Sequence, residues 1–160
     1  FRGQVDKYTW VDIGSSYLPS ELVAAFLLAQ MEEGDSITAR RLQIWKFYNE
    51  QFADLEAEGC LRRPIVPKEC RHNAHMYYIL LPDEPTRAQL IARLKSEGIH
   101  SVFHYVPLHS SPMGRRVGRI SGTMNVTDDI SERLLRLPLW IGDEFAPRVV
   151  AVVREALGKP

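Results

Sequence analysis

The period of the apolar positions changes several times along this chain, and each change predicts an element. Residues 22–28 (Leu-Val-Ala-Ala-Phe-Leu-Leu) are apolar without a break, and no polar face appears before Gln30. A helix of that kind over 19–33 calls for burial on nearly every side. Pro19 suits its first position, Glu21 the positive end of its dipole, and Gly34 its stop. Asp35 or Ser36 can cap a second helix, in which Ile37, Ile44, Trp45, Tyr48, Phe52 and Leu55 share one stripe. Arg40, Arg41, Glu50, Gln51 and Glu58 mark its wet side and Gly59 ends it, which predicts a long amphipathic strut.

The pattern then turns to strands. Residues 60–73 contain Pro64 and Pro67 and read as a linker, whereas 75–81 (His-Met-Tyr-Tyr-Ile-Leu-Leu) carry the density of aromatic and branched residues of a buried strand. Pro82 to Pro85 break it and start a helix that turns Ala88, Leu90, Ile91 and Leu94 inward and stops at Gly98. Residues 99–106 read as another strand, so a strand–helix–strand unit forms the heart of a small domain. Residues 110–127 interleave glycines with Arg115, Arg116 and Arg119 and offer few core formers, which predicts a mobile loop. A short helix opens at Asp128 or Ser131, and 136–140 form a short strand or extended segment. Pro147 begins a closing helix with Val149, Val150, Val153 and Leu157 toward the core. The resulting divisions are a lead-in at 1–18, with Phe1, Tyr8 and Trp10 as aromatic anchors, a helical arm at 19–59 and a small α/β domain at 60–160.

Composition removes several classes of function. Twenty basic residues balance twenty acidic ones, which argues against nucleic acid or a membrane surface as a partner. The strongest apolar run is far shorter than the roughly 20 residues that span a bilayer, and no signal peptide is visible. Cys60 and Cys70 form no C-x-x-C pair and read as incidental thiols of a cytoplasmic protein.

Candidate chemistry is sparse. The polar turn with Gly14, Ser15 and Ser16 feeds a rigid helix and is a place to hold an anion, although by spacing alone an ordinary turn before a core helix is the simpler reading. The five histidines meet no metal-ligand spacing. His104 and His109 flank Pro107 and read either as hydrogen-bonding groups at the mouth of a cleft or as surface histidines at a strand end. Arg115, Arg116 and Arg119 match phosphate oxygens in geometry, but a solvated loop is the simpler reading. None of the five lysines, Lys7, Lys46, Lys68, Lys95 and Lys159, sits where a desolvated nucleophilic amine is expected, so no catalytic residue is assigned.

Gly14, Tyr17, Glu21, Ala24, Ala25 and Gln30 fall on a pattern that resembles the sugar-nucleotide aminotransferases of the DegT/DnrJ group. The likeness continues at 73–79, at 102–109 (Val-Phe-His-Tyr-Val-Pro-Leu-His) and at 131–139, in the same order, and is strongest toward the branch making dTDP-4-amino-4,6-dideoxygalactose. The resemblance implies an α+β fold: the small C-terminal domain of a fold-type I PLP-dependent transferase, with preceding long helices and a small, mostly antiparallel sheet. It implies pyridoxal phosphate as cofactor, a nucleotide-sugar substrate, glutamate as amino donor, a homodimer, and a place in cell-surface polysaccharide synthesis. By the same resemblance Ser15, Ser16 and Tyr17 would contact the cofactor phosphate of the neighbouring subunit, Ser16 standing where many members have asparagine. Arg2, His104, Tyr105 and His109 would face the substrate. In the family a large N-terminal domain precedes this point and carries the lysine that grips the cofactor. The chain, opening at Phe1, is therefore expected to be a C-terminal piece that binds no cofactor and is inactive alone. The alternative is a non-catalytic binding or oligomerisation module that uses the helix at 19–33.

Overall fold

The computed structural model describes residues 17–140 and 145–158, and the chain divides into two units, Phe1–Asp35 and Ser36–Pro160. The described part of the first unit centres on α1 (Glu21–Glu32). Extended Ser20 is its N-cap, the hydroxyl accepting from the Val23 N–H at 3.3 Å, so Pro19 stands before the helix rather than at its first position. The expected burial is not found: Leu22 is 85% and Phe26 71% exposed, and no residue of α1 is buried. Glu33 is the C-cap, and Gly34 opens α2 (Gly34–Gln51) instead of ending α1, which places Asp35 and Ser36 inside the second helix rather than before it. The expected lead-in lies, apart from Tyr17 and Leu18, outside the described residues.

In the second unit the amphipathic stripe behaves as its spacing requires. After α2 the chain passes Phe52 into α3 (Ala53–Ala57), and Gly59 leaves it at φ 76°, a conformation that favours glycine. Tyr48, Phe52 and Leu55 are buried. The Tyr48 and Tyr77 rings approach to 5.2 Å and Trp45 meets Tyr77 edge-on at 5.4 Å, which fastens α2 to the sheet.

The sheet holds β1 (Tyr77–Leu80), β2 (Val102–Phe103) and β3 (Leu134–Leu137), in the order β1-β3-β2. Both outer strands run antiparallel to β3, Tyr77 opposite Leu137 and Phe103 opposite Leu135. The first strand–helix–strand unit is therefore split, with the last strand inserted between its two strands. Arg62, in the segment read as linker, exchanges two backbone hydrogen bonds with Leu80 and covers the free edge of β1. The predicted strand over 99–106 keeps ladder pairing only at Val102 and Phe103. The third strand comes earlier than the predicted 136–140, and Pro138, which has no N–H to give a ladder, follows it directly.

Helix α4 (Glu84–Ser96) opens on Asp83, whose carboxylate accepts from the Thr86 N–H at 2.8 Å. Leu90 and Leu94 face the core, but Ala88 is exposed; Arg87 turns in instead and donates to the Ser131 carbonyl at 2.7 Å. Helix α7 (Phe145–Leu157) starts before Pro147 and buries Ala146, Val149, Val150, Val152 and Val153. Arg93 of α4 reaches Glu155 of α7 at 3.1 Å, and Arg154 of α7 pairs with Asp54 of α3, holding that carboxyl's pKa down at about 2.

The stretch read as a mobile loop is partly regular. A 3₁₀ turn at Leu108–Ser110 leads into α5 (Pro112–Val117), and α6 (Asn125–Arg133) begins before either expected starting residue. Ser111 caps α5, its Oγ accepting from the Gly114 N–H at 3.1 Å and donating to the Leu108 carbonyl at 2.7 Å. That local cap supplies order that apolar periodicity did not announce.

Two buried phenols separate hydrogen bonding from packing. Tyr48 Oη donates to the Pro138 carbonyl at 2.9 Å, whereas among the described residues Tyr77 Oη has no partner. Tyr48→Phe is expected to cost about 1 kcal/mol, a fall of about 3 °C in Tm. Tyr77→Phe should leave Tm unchanged or raise it, because it removes an unsatisfied polar atom. Equal losses in thermal melts of the two variants would refute this assignment.

Candidate functional site

The segment from β2 to α6 folds around two neighbouring clefts. One, of about 710 Å³, is lined by Leu108, His109, Gly114, Arg115, Arg119 and Met124, with Gly118, Ile120, Ser121 and Thr127 completing it. The next, of about 500 Å³, has His104, Tyr105, Val106 and Pro107 on one side and Val126, Thr127, Ile130 and Ser131 on the other. Thr127 of α6 borders both. The structure thus places His104 and Tyr105 in one cleft and His109 in the adjacent one.

His109 is the best-held polar group here. Its Nε2 donates to Asp128 Oδ1 at 2.9 Å, and only 15% of its side chain is exposed. A carboxylate on one ring nitrogen fixes the orientation of the imidazole and leaves Nδ1 of the neutral ring as an acceptor. Asp128 was not anticipated as a partner: it lies nineteen positions further along the chain, and only the packing of α6 brings it back. Arg115 and Arg119, read as solvated, are exposed, yet both lie on the wall of the larger cleft; Arg116 does not. Guanidinium groups beside an apolar wall suit a ligand that joins an anionic part to a flat or apolar part.

His104 sits in a different electrostatic setting. Burial, with Arg136 and His75 adding positive charge, holds its pKa below the ordinary histidine value and favours the neutral ring. Arg136 also reaches the Tyr105 hydroxyl at 3.4 Å. His72, by contrast, packs against Trp45 with ring centroids 4.7 Å apart. Among the described residues no group of three histidine, cysteine, aspartate or glutamate side chains is placed to hold a metal ion.

Arg2, Ser15 and Ser16 lie outside the described residues, as do Lys7 and Lys159. Tyr17 is 91% exposed. Lys46 pairs with Glu50 at 3.7 Å on a wet helix face, and Lys68 and Lys95 are exposed. A covalent hold on pyridoxal phosphate requires a desolvated amine of lowered pKa, and the described residues do not offer one; they do not by themselves fit that cofactor.

Across residues 2–154 the sequence matches the DegT/DnrJ/EryC1/StrS aminotransferase family. An uncharacterized protein of Methanocaldococcus jannaschii is 28% identical over 158 residues, 95% of this chain and 40% of its own length. The dTDP-3-amino-3,4,6-trideoxy-alpha-D-glucose transaminase of Micromonospora megalomicea subsp. nigra is 25% identical over 142 residues, 86% of this chain and 37% of its own. A DegT DnrJ EryC1 StrS aminotransferase from Brucella abortus superposes with a TM-score of 0.80 at 27% identity, over 98% of this chain and 40% of that one. S. venezuelae DesV, solved in complex with a ketimine intermediate, gives a TM-score of 0.83 at 24% identity over 99% and 42%, a likeness of fold. The chain therefore spans about 40% of the length of these relatives. The α+β architecture, helices before a small antiparallel sheet, is that of the small domain of such transferases.

Gly114 offers a direct check on the larger cleft. A Cβ built there would lie 1.6 Å from the Leu108 carbonyl oxygen, so no side chain fits without moving the turn. Gly114→Ala is expected to cost about 2 kcal/mol and to speed amide exchange across 108–118 while leaving α4 and α7 protected. Unchanged exchange in 108–118 would contradict the described packing.

Proposed function

Because the chain belongs to the DegT/DnrJ/EryC1/StrS aminotransferase family, we propose that it is the C-terminal part of an enzyme that aminates a dTDP-4-keto-6-deoxy sugar. Glutamate is the proposed amino donor, and the product of the favoured branch is dTDP-4-amino-4,6-dideoxygalactose. The observation that carries the substrate reading is the cleft in which Asp128 orients His109 beside Arg115 and Arg119. The guanidiniums would pair with the diphosphate, the apolar wall of Leu108, Ile120 and Met124 would take the nucleoside, and His109 Nδ1 would accept from a sugar hydroxyl. His104 and Tyr105, in the adjoining cleft, would position the sugar. Arg2 would lie at the same substrate, and Ser15, Ser16 and Tyr17 at the phosphate of the cofactor.

Pyridoxal phosphate would supply the electron sink for amino transfer, held by a lysine outside this chain. Residues 60–160 would form the small domain and 19–59 the arm that carries it, in a cytoplasmic enzyme serving cell-surface polysaccharide synthesis. Purified chain given pyridoxal phosphate, glutamate and the keto sugar is expected to show no sustained turnover. In the longer enzyme, His109→Ala should raise the KM for the nucleotide sugar about tenfold, the effect of leaving a buried hydroxyl without its hydrogen-bond partner. Turnover by the chain alone would overturn the assignment of the lysine; an unchanged KM would overturn the assignment of the cleft.

The exposure of α1 favours a second reading, in which this chain associates with a copy of itself. Leu22, Val23, Phe26, Leu27, Leu28 and Met31 leave more apolar surface in water than a monomer ordinarily tolerates. Size-exclusion chromatography with light scattering should find a dimer that Phe26→Glu dissociates. A monomer at every concentration would exclude this reading without touching the cleft.

A further inference from the structure

Arg136 occupies the middle of the central strand, in register with Tyr78 on β1 and Val102 on β2, between the buried Leu135 and Leu137. Strand alternation sends its side chain to the face opposite those two leucines. Five other arginines of this unit, Arg63, Arg87, Arg93, Arg133 and Arg154, each meet a carboxylate. Arg136 meets none among the described residues. Its contacts are the long 3.4 Å hydrogen bond from Nη1 to Tyr105 Oη and the repulsion it exerts on a proton at His104, and its Nε is buried without a partner.

The space beside it is shaped for a counter-charge. A pocket of about 270 Å³ is lined by Arg136, Arg41, His75 and His100, with Met76, Val102 and residues 137–139 supplying the remaining wall. No aspartate or glutamate lines it. Arg41 is held in place from behind, Nε donating to the Ala74 carbonyl at 3.0 Å and Nη2 to the His75 carbonyl at 2.5 Å. Two guanidiniums and two imidazoles therefore converge on a hollow with room for several heavy atoms, at about 30 Å³ for each water displaced. A partly buried guanidinium without an anionic partner forgoes the charge-assisted bonds that offset its desolvation. At His104 nearby, burial lowers the pKa most, and the charge of Arg136 adds to it.

We propose that this pocket is an anion-binding site that takes a compact carboxylate- or phosphate-bearing ion, with Arg136 as its principal ligand. Guanidinium forks bind both oxyanions in bidentate fashion, and His75 and His100 each offer a ring N–H to the remaining oxygens. The pocket shares no lining residue with the clefts at His104 and His109, and the inference makes no use of the transaminase reading.

The test is titration of the purified chain with succinate and, separately, inorganic phosphate, each against a sodium chloride series of equal ionic strength. Binding is read from the NMR signals of the arginine Nε–H groups and histidine rings. One or both probes should give saturable shifts at Arg136, His75 and His100, and the probe that saturates at the lower concentration identifies the oxyanion. Arg136→Gln should weaken binding at least tenfold, with folding verified by circular dichroism; His100→Asn provides a second, milder variant. Shifts that merely follow chloride, or binding that survives Arg136→Gln unchanged, would overturn the site. Should Arg136→Gln fail to fold, unchanged binding in His100→Asn would overturn it. No outcome bears on whether the longer enzyme transfers an amino group.

Discussion

Burial of the Leu135–Leu137 face of β3 is the constraint on which the second unit depends. The strand is the last of the three along the chain and the central one in the sheet, so β1 and β2 have no common partner until it arrives. Its inner face shares one core with Leu90 and Leu94 of α4 and the valines of α7, and Tyr77 of β1 carries that core to Tyr48 and Phe52. Each of those helices can form from local signals, but their apolar stripes find a shared surface only once β3 is in place. The closing contacts are accordingly long-range: Arg93 to Glu155, Arg154 to Asp54, and the Tyr48 hydroxyl to the carbonyl that follows β3.

The same insertion builds the clefts. Helix α6 runs directly into β3, and β2 lies along the other side of that strand. Fixing β3 therefore fixes both Asp128 and Thr127 on α6 and the chain that leaves β2 through His104 to His109. The His109–Asp128 hydrogen bond is a consequence of sheet order rather than of sequence proximity. Polar groups brought together this way hold their geometry because moving them means moving the core strand.

What could be read beforehand divides along the same line. Helices α4 and α7 and the strand at β1 were legible, because capping residues, amphipathic spacing and branched residues act within a few positions. The antiparallel sheet was reached only through the resemblance to a family, and the insertion of β3 between β1 and β2 was not visible in any local pattern. Residues 110–127 misled for the opposite reason. Their order comes from the Ser111 cap and from a backbone approach at Gly114 that admits no Cβ, neither of which leaves an apolar rhythm. At the site, His104 and His109 stood out as polar residues around a proline, whereas Asp128, Thr127 and Arg136 gained meaning only from pairing across the fold.

The continuous apolar run in α1 and the lone cation on β3 show how a sequence records surfaces that its own described fold does not cover. Residues 22–28 are apolar on all sides, which is costly unless something lies against them, and α1 is nevertheless bare. Arg136 sits on the open face of a three-stranded sheet where Thr or Val would satisfy strand propensity without a charge to desolvate. Neither feature improves the stability of the unit that carries it. Both become favourable when a complement arrives, apolar surface for the helix and an oxyanion for the guanidinium. Such departures from local preference mark surfaces that wait for a complement, whereas Leu90, Leu94, Leu135 and Val149 are satisfied within the core of the second unit and hold the strand that carries Arg136.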